Sequence, residues 1–402
     1  MSADKKNIIC SFIAALLAIG VFFGIYMIRS SGNNAKDKVT VGFIYDGDKS
    51  TPYTANFIHA AKQLKSEYGK KVKIIEMYNV PSENIEETLT ELADKKCDII
   101  FTNTYEYGNA TKKFAEKHPD IQFCAATCDN ANDKPVLENY HTFMGEIYQA
   151  RYVSGLAAGD KLRDMIKKGT ITEDKALVGY VAAYPSAEVI SGYTAFFLGV
   201  REKCPSAHMK VKYVNTWNSF ALEKEAAQKL IDEGCIIISH HTNSIGSAVA
   251  CEESDKELPA YHVGYNQDLS EIAPTKALIS CRLDWAPYYI SAVGAVLNGE
   301  NIEKHLDANI HGNDASAGFD EGWVTMFDVN PSLAPEGCQK MLDDAISDLK
   351  RGKIHIFQGD YKATDPSNPD DTYDLNKEYI ENENSSAPSF HYVLDDVITI
   401  GE

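Results

Sequence analysis

The sequence runs to 402 residues, 44% hydrophobic and 10% aromatic, which is more than one ordinary core holds and suits two. Its 39 Lys and Arg stand against 58 Asp and Glu, a formal net charge of -19. So acidic a chain argues against a nucleic-acid partner, because phosphate-backbone binding needs clustered Lys and Arg.

The first element is an apolar run over 8–28 with no charged residue, flanked by Lys5, Lys6 and Arg29. A helix of that length rises about 30 Å, enough to cross a hydrocarbon core. Cleavable secretory signals carry a shorter apolar stretch of about 7–15 residues. The run therefore reads as an N-terminal transmembrane helix. Ser30, Ser31 and Gly32 are small enough to form a cleavage site, so a signal peptide stays open as the alternative. Residues 1–37 comprise this anchor or signal and its polar linker.

From residue 39 short apolar runs alternate with helical stretches. Strands are expected over 39–45, 72–78, 98–103, 121–126 and 140–144, with helices over 52–68, 85–96 and 107–118 between them. Pro52 suits the first turn of its helix. The alternation resumes with helices over 146–168, 188–203 and 222–233 and strands over 177–183, 210–214, 236–240, 260–264 and 278–283. A polar stretch over about 360–389 reads as a surface excursion before a last strand over 392–400.

This order predicts an α/β chain of two Rossmann-like lobes with parallel sheets, joined by a hinge. The apolar strands have the near-continuous pattern of sheets covered on both faces. Lobe 1 is expected over 38–144 with part of 285–330, and lobe 2 over 145–284 with part of 331–402. A ligand would sit between the carboxyl ends of the strands. The nine cysteines include no C-x-x-C pair. Most of those beyond the first segment read as buried free thiols, with neither a disulfide framework nor a zinc set.

No phosphate loop, dinucleotide fingerprint, nucleophile elbow or H-E-x-x-H motif occurs, so no catalysis, cofactor or metal is read. Adjacent His240 and His241 would point to opposite faces of a strand. The informative residues follow the strands. They are Tyr53, Thr104 with Tyr105, Tyr184, Trp217, His241 with Asn243, Asn266 with Asp268, and Trp285. Aromatic faces sandwich a planar ligand, and amides and carboxylates read its edge. Against this, Asn, Asp and Thr are also ordinary turn and cap residues. Rings alone do not separate a purine from a sugar.

Several stretches together resemble the basic membrane protein (BMP) family of substrate-binding proteins. They are Gly145-Glu-Ile-Tyr-Gln-Ala-Arg-Tyr152, Gly179-Tyr-Val-Ala-Ala-Tyr-Pro185, His241-Thr242, Gly264-Tyr265 with Asp268, and Trp285-Ala-Pro-Tyr-Tyr289. The resemblance implies a type I periplasmic-binding-protein clamshell with three hinge crossings. It also implies an extracytoplasmic location at the cell membrane, an ABC transporter permease as partner, and a purine as ligand. In the family the ring stacks on an aromatic after the first strand. Tyr53 takes that place, where the purine branch usually has Trp, and Tyr105 stands where Phe is frequent. Trp217 and Trp285 match the purine branch, while Asn243 and Asn266 replace frequent Asp. The lysine that holds ribose in nucleoside binders is missing near Cys281, which favours a nucleobase, although Arg282 is open as a substitute. The competing reading is a membrane-anchored purine sensor without transport. An enzyme such as a nucleosidase finds no base–nucleophile pair.

Overall fold

The computed structural model describes residues 35–401. The apolar run over 8–28 lies outside the described residues. No helix among them is long and apolar enough to cross a membrane.

The chain opens with β1 (Val39–Ile44), α1 (Pro52–Tyr68), β2 (Val72–Met77), α2 (Ile85–Asp94) and β3 (Ile99–Thr102). It continues with α3 (Gly108–Lys117), β4 (Gln122–Ala126) and β5 (Tyr140–Gly145). Pro52 starts α1 where a missing N–H costs nothing. Lys96 adopts φ 60, which helps end α2 short of the expected residue 96.

A second series follows: α4 (Tyr148–Lys167), β6 (Leu177–Ala182), α5 (Ala187–Lys203), β7 (His208–Tyr213), α6 (Phe220–Asp232) and β8 (Ile237–His241). It ends with α7 (Gly246–Glu253), β9 (Tyr261–Tyr265) and β10 (Ala277–Leu283). The chain then adds α8 (Ala286–Asn298), β11 (Asn309–His311), β12 (Asp314–Ala317), β13 (Val324–Met326) and α9 (Cys338–Lys350).

Two seven-stranded sheets result, ordered β11-β12-β5-β4-β3-β1-β2, and β13-β10-β9-β8-β6-β7 with a last strand described below. Both contain the same doubly wound unit, 2-1-3-4-5 in local numbering. Its switch points fall between β1 and β3 and between β6 and β8, where a crevice opens at the carboxyl ends. The sheets are not wholly parallel: β11 and β13 are antiparallel edge additions. Neither was read from the sequence, since both are three-residue strands that owe their form to pairing.

The chain passes between lobes near residues 145–147, 283–285 and 317–324. These passages are tied together. Glu146 N donates to Ala317 O at 2.8 Å and Asp284 N to Trp323 O at 2.8 Å. A Cβ on Gly145 would lie 2.3 Å from Leu283 Cδ2 and 3.3 Å from Trp323 O, so glycine at residue 145 lets the end of β5 pack closely against the end of β10. Helices α4 and α5 also meet backbone to backbone, through Gly155, Gly159 and Gly199.

The final stretch differs from its expected single strand. β14 (Lys362–Asp365), β15 (Asn368–Asp374) and β16 (Val393–Leu394) form a small sheet. The chain then turns at Asp396, φ 62, and β17 (Ile398–Gly401) pairs parallel with β7 at the edge of the lobe 2 sheet. A left-handed residue cannot continue an extended strand. The eight described cysteines are all buried and unpaired.

Candidate ligand-binding site

A cavity of about 400 Å³ lies between the lobes, and both switch points open into it. Its size fits the lower part of the range for small-molecule sites, about 300–1,000 Å³.

Lobe 1 contributes the turns after β1 and β3. Asp46 lies two residues past the end of β1 and is fixed by Asn103. Asn103 Nδ2 donates to Asp46 Oδ1 at 2.8 Å, and Asp46 N donates to Asn103 Oδ1 at 3.0 Å. Thr54 Oγ1 donates to the same carboxylate oxygen at 3.0 Å. Asp46 lines the cavity and keeps an exposed surface, though protein lies close enough to its carboxylate to desolvate it. Burial pushes its pKa up, and the Asn103 and Thr54 hydrogen bonds oppose that rise. The Tyr53 hydroxyl donates to Asn103 O, which fixes the ring at the cavity wall. Asn103 thus organises two lining residues, Asp46 through its side-chain amide and Tyr53 through its backbone carbonyl.

Lobe 2 contributes a run of edge-to-face rings. Tyr184 and Trp217 centroids are 5.7 Å apart, Trp217 and His241 6.3 Å, and His241 and Tyr265 5.1 Å. The Arg151 guanidinium lies 3.8 Å from the Tyr265 ring centroid and donates to His240 O at 2.9 Å. Behind these rings the buried Glu223 carboxylate ties two loops together. It accepts from Thr242 Oγ1 at 2.8 Å, from Ser244 N at 3.2 Å and from Ser219 N at 3.0 Å. Asn243 N also donates to Trp217 O at 2.7 Å. The Trp217 loop is therefore held against the end of β8. His241 Nε2 lies 3.6 Å from Glu188 Oε1. Burial, then the Arg151 charge, lowers the His241 pKa, and Glu188 partly offsets them.

Of the residues picked from the sequence, Tyr53, Thr104, Tyr105, Tyr184, Trp217, His241 and Asn243 line this cavity. Tyr105, 62% exposed, and Tyr184, 36% exposed, stand at its rim. Three others do not line it. Trp285 is 1% exposed and stacks on Phe57 at 4.5 Å and 13°, because it caps α8 inside the hinge core. Asn266 is buried beyond the wall, where its Oδ1 accepts from Asn56 Nδ2 at 3.0 Å. Asp268 is exposed and accepts from Ser270 N at 2.9 Å, a local turn bond.

The structure adds Asp46, Glu106, Thr127, Glu188, Asn218 and Tyr265 to the lining. Asp46 lies two positions past β1 and Glu188 is the second residue of α5, places where acidic residues pass for turn and cap chemistry. The lining carries three carboxylates, from Asp46, Glu106 and Glu188, and neither Lys nor Arg. Arg282 is not part of it: its Nε donates to Thr325 Oγ1 at 3.2 Å and its Nη2 lies 3.5 Å from Asp284 Oδ2.

Comparison with known proteins agrees with this two-lobed form. A solute-binding protein from Conexibacter woesei superposes with a TM-score of 0.61 at 17% identity, over 79% of this chain and 97% of its own. A purine-binding protein of Brucella abortus is 30% identical over 336 residues, 83% of this chain and 87% of the relative. A putative ABC transporter glucose-binding protein of Haloferax volcanii is 32% identical over 226 residues, 56% of this chain and 51% of the relative. The model of PnrA-like ABC transporter substrate-binding proteins matches residues 38–354. The chain belongs to this family, the basic membrane proteins.

Proposed function

We propose that the chain captures an unphosphorylated purine, the free base in preference to the nucleoside, between its lobes and passes it to an ABC importer. The observation that carries this reading is the cavity's pairing of aromatic walls with three carboxylates and no Lys or Arg. Tyr53 and Trp217 offer faces and edges to a planar ring. The carboxylates accept hydrogen bonds from ring or amino N–H groups and repel phosphate. Arg282 is engaged away from the cavity, which supports a base over a ribose-bearing ligand. The purine-binding relative points to the same ligand class.

Binding would follow hinge closure, because a ligand touching both lobes favours the conformation in which both reach it. We further propose that the apolar run over 8–28 tethers the chain outside the membrane and that a permease receives the ligand. Calorimetry across adenine, guanine, hypoxanthine, their nucleosides and monophosphates, and D-glucose tests the ligand. A base should bind more tightly than its nucleoside, and monophosphates and glucose should not bind. Tighter glucose or nucleoside binding overturns the reading.

A further inference from the structure

Five lysines gather on lobe 1, away from the ligand cavity. Lys38, Lys62, Lys65, Lys70 and Lys73 line a groove of about 620 Å³ between α1 and the edge strand β2. All five are exposed, and none makes an ion pair among the described residues. This is unusual in a chain of formal charge -19, where acidic partners are plentiful. Glu76 is the one carboxylate in the lining, and its Oε1 accepts from Tyr45 OH at 3.2 Å.

Edge protection explains only part of the group. Lysines on an edge strand deter pairing with another chain, and β2 is an edge. That accounts for Lys73. It does not account for Lys62 and Lys65 on α1, Lys70 in the turn before β2, or Lys38 before β1. Val39 pairs with Val72, so Lys38 sits beside the start of β2 and the cluster is continuous.

Its place along the chain names the partner. Residues 29–37 separate the uncharged run 8–28 from Lys38. Lys36 N donates to Leu297 O at 2.8 Å, so residues 29–35 form the linker, and fully extended they reach about 23 Å, less than the roughly 30 Å of the hydrocarbon core itself. We infer that this lysine groove seats lobe 1 on the anionic headgroups of the membrane that holds the N-terminal segment. The inference rests on the tether proposed above and is independent of which ligand fills the cavity. Anionic headgroups attract such clusters within a Debye length, about 8–10 Å at moderate salt. A seated lobe 1 leaves the hinge and lobe 2 free to close.

The test is a lysine-acylation footprint, read by mass spectrometry, of the full chain reconstituted into phosphatidylcholine nanodiscs with or without phosphatidylglycerol. On anionic discs Lys62, Lys70 and Lys73 should label at least about threefold more slowly, and the protection should vanish in about 1 M salt. Lys377, on the C-terminal excursion, serves as the control. The variant Lys62→Gln/Lys70→Gln/Lys73→Gln should release the remaining protection at Lys38 while ligand affinity stays unchanged. Lys65 is kept, because its Nζ donates to Gly69 O and Val72 O. Equal labelling on both discs overturns the inference. So does protection by inorganic phosphate in detergent, which would mark a free-anion site, or protection that requires an added permease. A chain that fails to co-elute with either disc overturns the tether and the lipid seat together, leaving the ligand reading standing.

Discussion

Asn56 and Asn266 join the two lobes directly. Asn56 Nδ2, on α1 of lobe 1, donates to Asn266 Oδ1, after β9 of lobe 2, across 3.0 Å in a buried setting. Asn266 also adopts φ 70, a left-handed conformation that Asn tolerates better than most residues. The sequence pointed to Asn266 as a ligand contact. The structure gives it another task, holding the lobes together beside the cavity.

Asn56→Ala should therefore weaken ligand binding without touching the ligand. The closed form would hold the Asn266 carbonyl dry and unpaired, whereas the open form would hydrate it. A net hydrogen bond of about 0.5–1.5 kcal/mol corresponds to a loss of roughly two- to tenfold in affinity. Calorimetry with the tightest-binding purine measures it, and small-angle scattering without ligand should show a more open average. Unchanged affinity would remove this bond from the closing mechanism.

Trp217 and Trp285 should behave oppositely, though both look alike in sequence. Trp217 is partly exposed at the cavity wall, so Trp217→Ala should cost at least about tenfold in purine affinity while the ligand-free melting temperature barely moves. Trp285 fills the hinge core against Phe57 and Phe143. Trp285→Ala should cost about 3–5 kcal/mol of stability, a fall on the order of 5–10 °C in melting temperature. A Trp217→Ala protein that binds purine normally would refute the stacking proposal.

Asp46 sets a pH dependence with opposite signs for stability and binding. Burial raises its folded pKa above the ordinary 3.8, so the folded chain holds this proton more tightly than the unfolded chain. Its contribution to ligand-free stability is greatest below that value and is lost as pH rises through the raised pKa. A ligand donating N–H to the ionised carboxylate reverses the demand. Affinity should be full above the raised pKa and fall as pH drops through it. Glu106, Glu188 and His241 face the same cavity, so the Asp46 share is read by subtraction. Asp46→Asn keeps an acceptor for Asn103 and Thr54 and should bind more weakly, with a flatter pH profile. An identical profile in variant and parent would exclude Asp46 from ligand contact.

Local pattern carried much of the fold, and long-range pairing decided the rest. The alternation of apolar strands and helices is legible because the central strands of the doubly wound units are buried on both faces, while the outer strands β2 and β7 are only partly covered. The last strand expected over 392–400 reaches β17, but nothing in Ile398–Gly401 says that it will pair with β7, far away in sequence. The site divides along the same line. Tyr53, Thr104, Tyr184 and Trp217 follow strands whose ends meet at the switch points, so their turn positions alone placed them. Trp285 and Asp268 also follow strands. The first turns inward at a hinge crossing and the second caps a local turn, and position after a strand does not distinguish these outcomes. Asn103 and Glu223 reach the site only through other residues, Asn103 by fixing Asp46 and Tyr53 and Glu223 by tying the loops behind the rings. No spacing rule reveals either.

The contact between α4 and α5 gives a prediction in which the usual sign of a substitution reverses. Within an exposed helix, replacing Gly by Ala gains up to about 1 kcal/mol, because Ala loses less backbone freedom. At Gly199 an added Cβ would lie 2.1 Å from Tyr152 O, and at Gly155 it would lie 1.9 Å from Phe196 O. Both obstacles are backbone atoms of the facing helix, which cannot rotate aside as a side chain can. The helices must move apart, and overpacking of this kind costs about 1–3 kcal/mol. Gly199→Ala should thus lower the melting temperature by a few degrees, on the order of 1–2 °C per kcal/mol for a chain of this length. The shift should also reach the cavity, because α5 begins at Ala187 and carries Glu188 into the lining, while α4 begins at the first hinge crossing. A weaker purine affinity alongside the lower melting temperature is the expected pair of results. A variant that melts higher than the parent would show that the helices can separate at no cost, and would overturn the view that these glycines set the spacing of lobe 2.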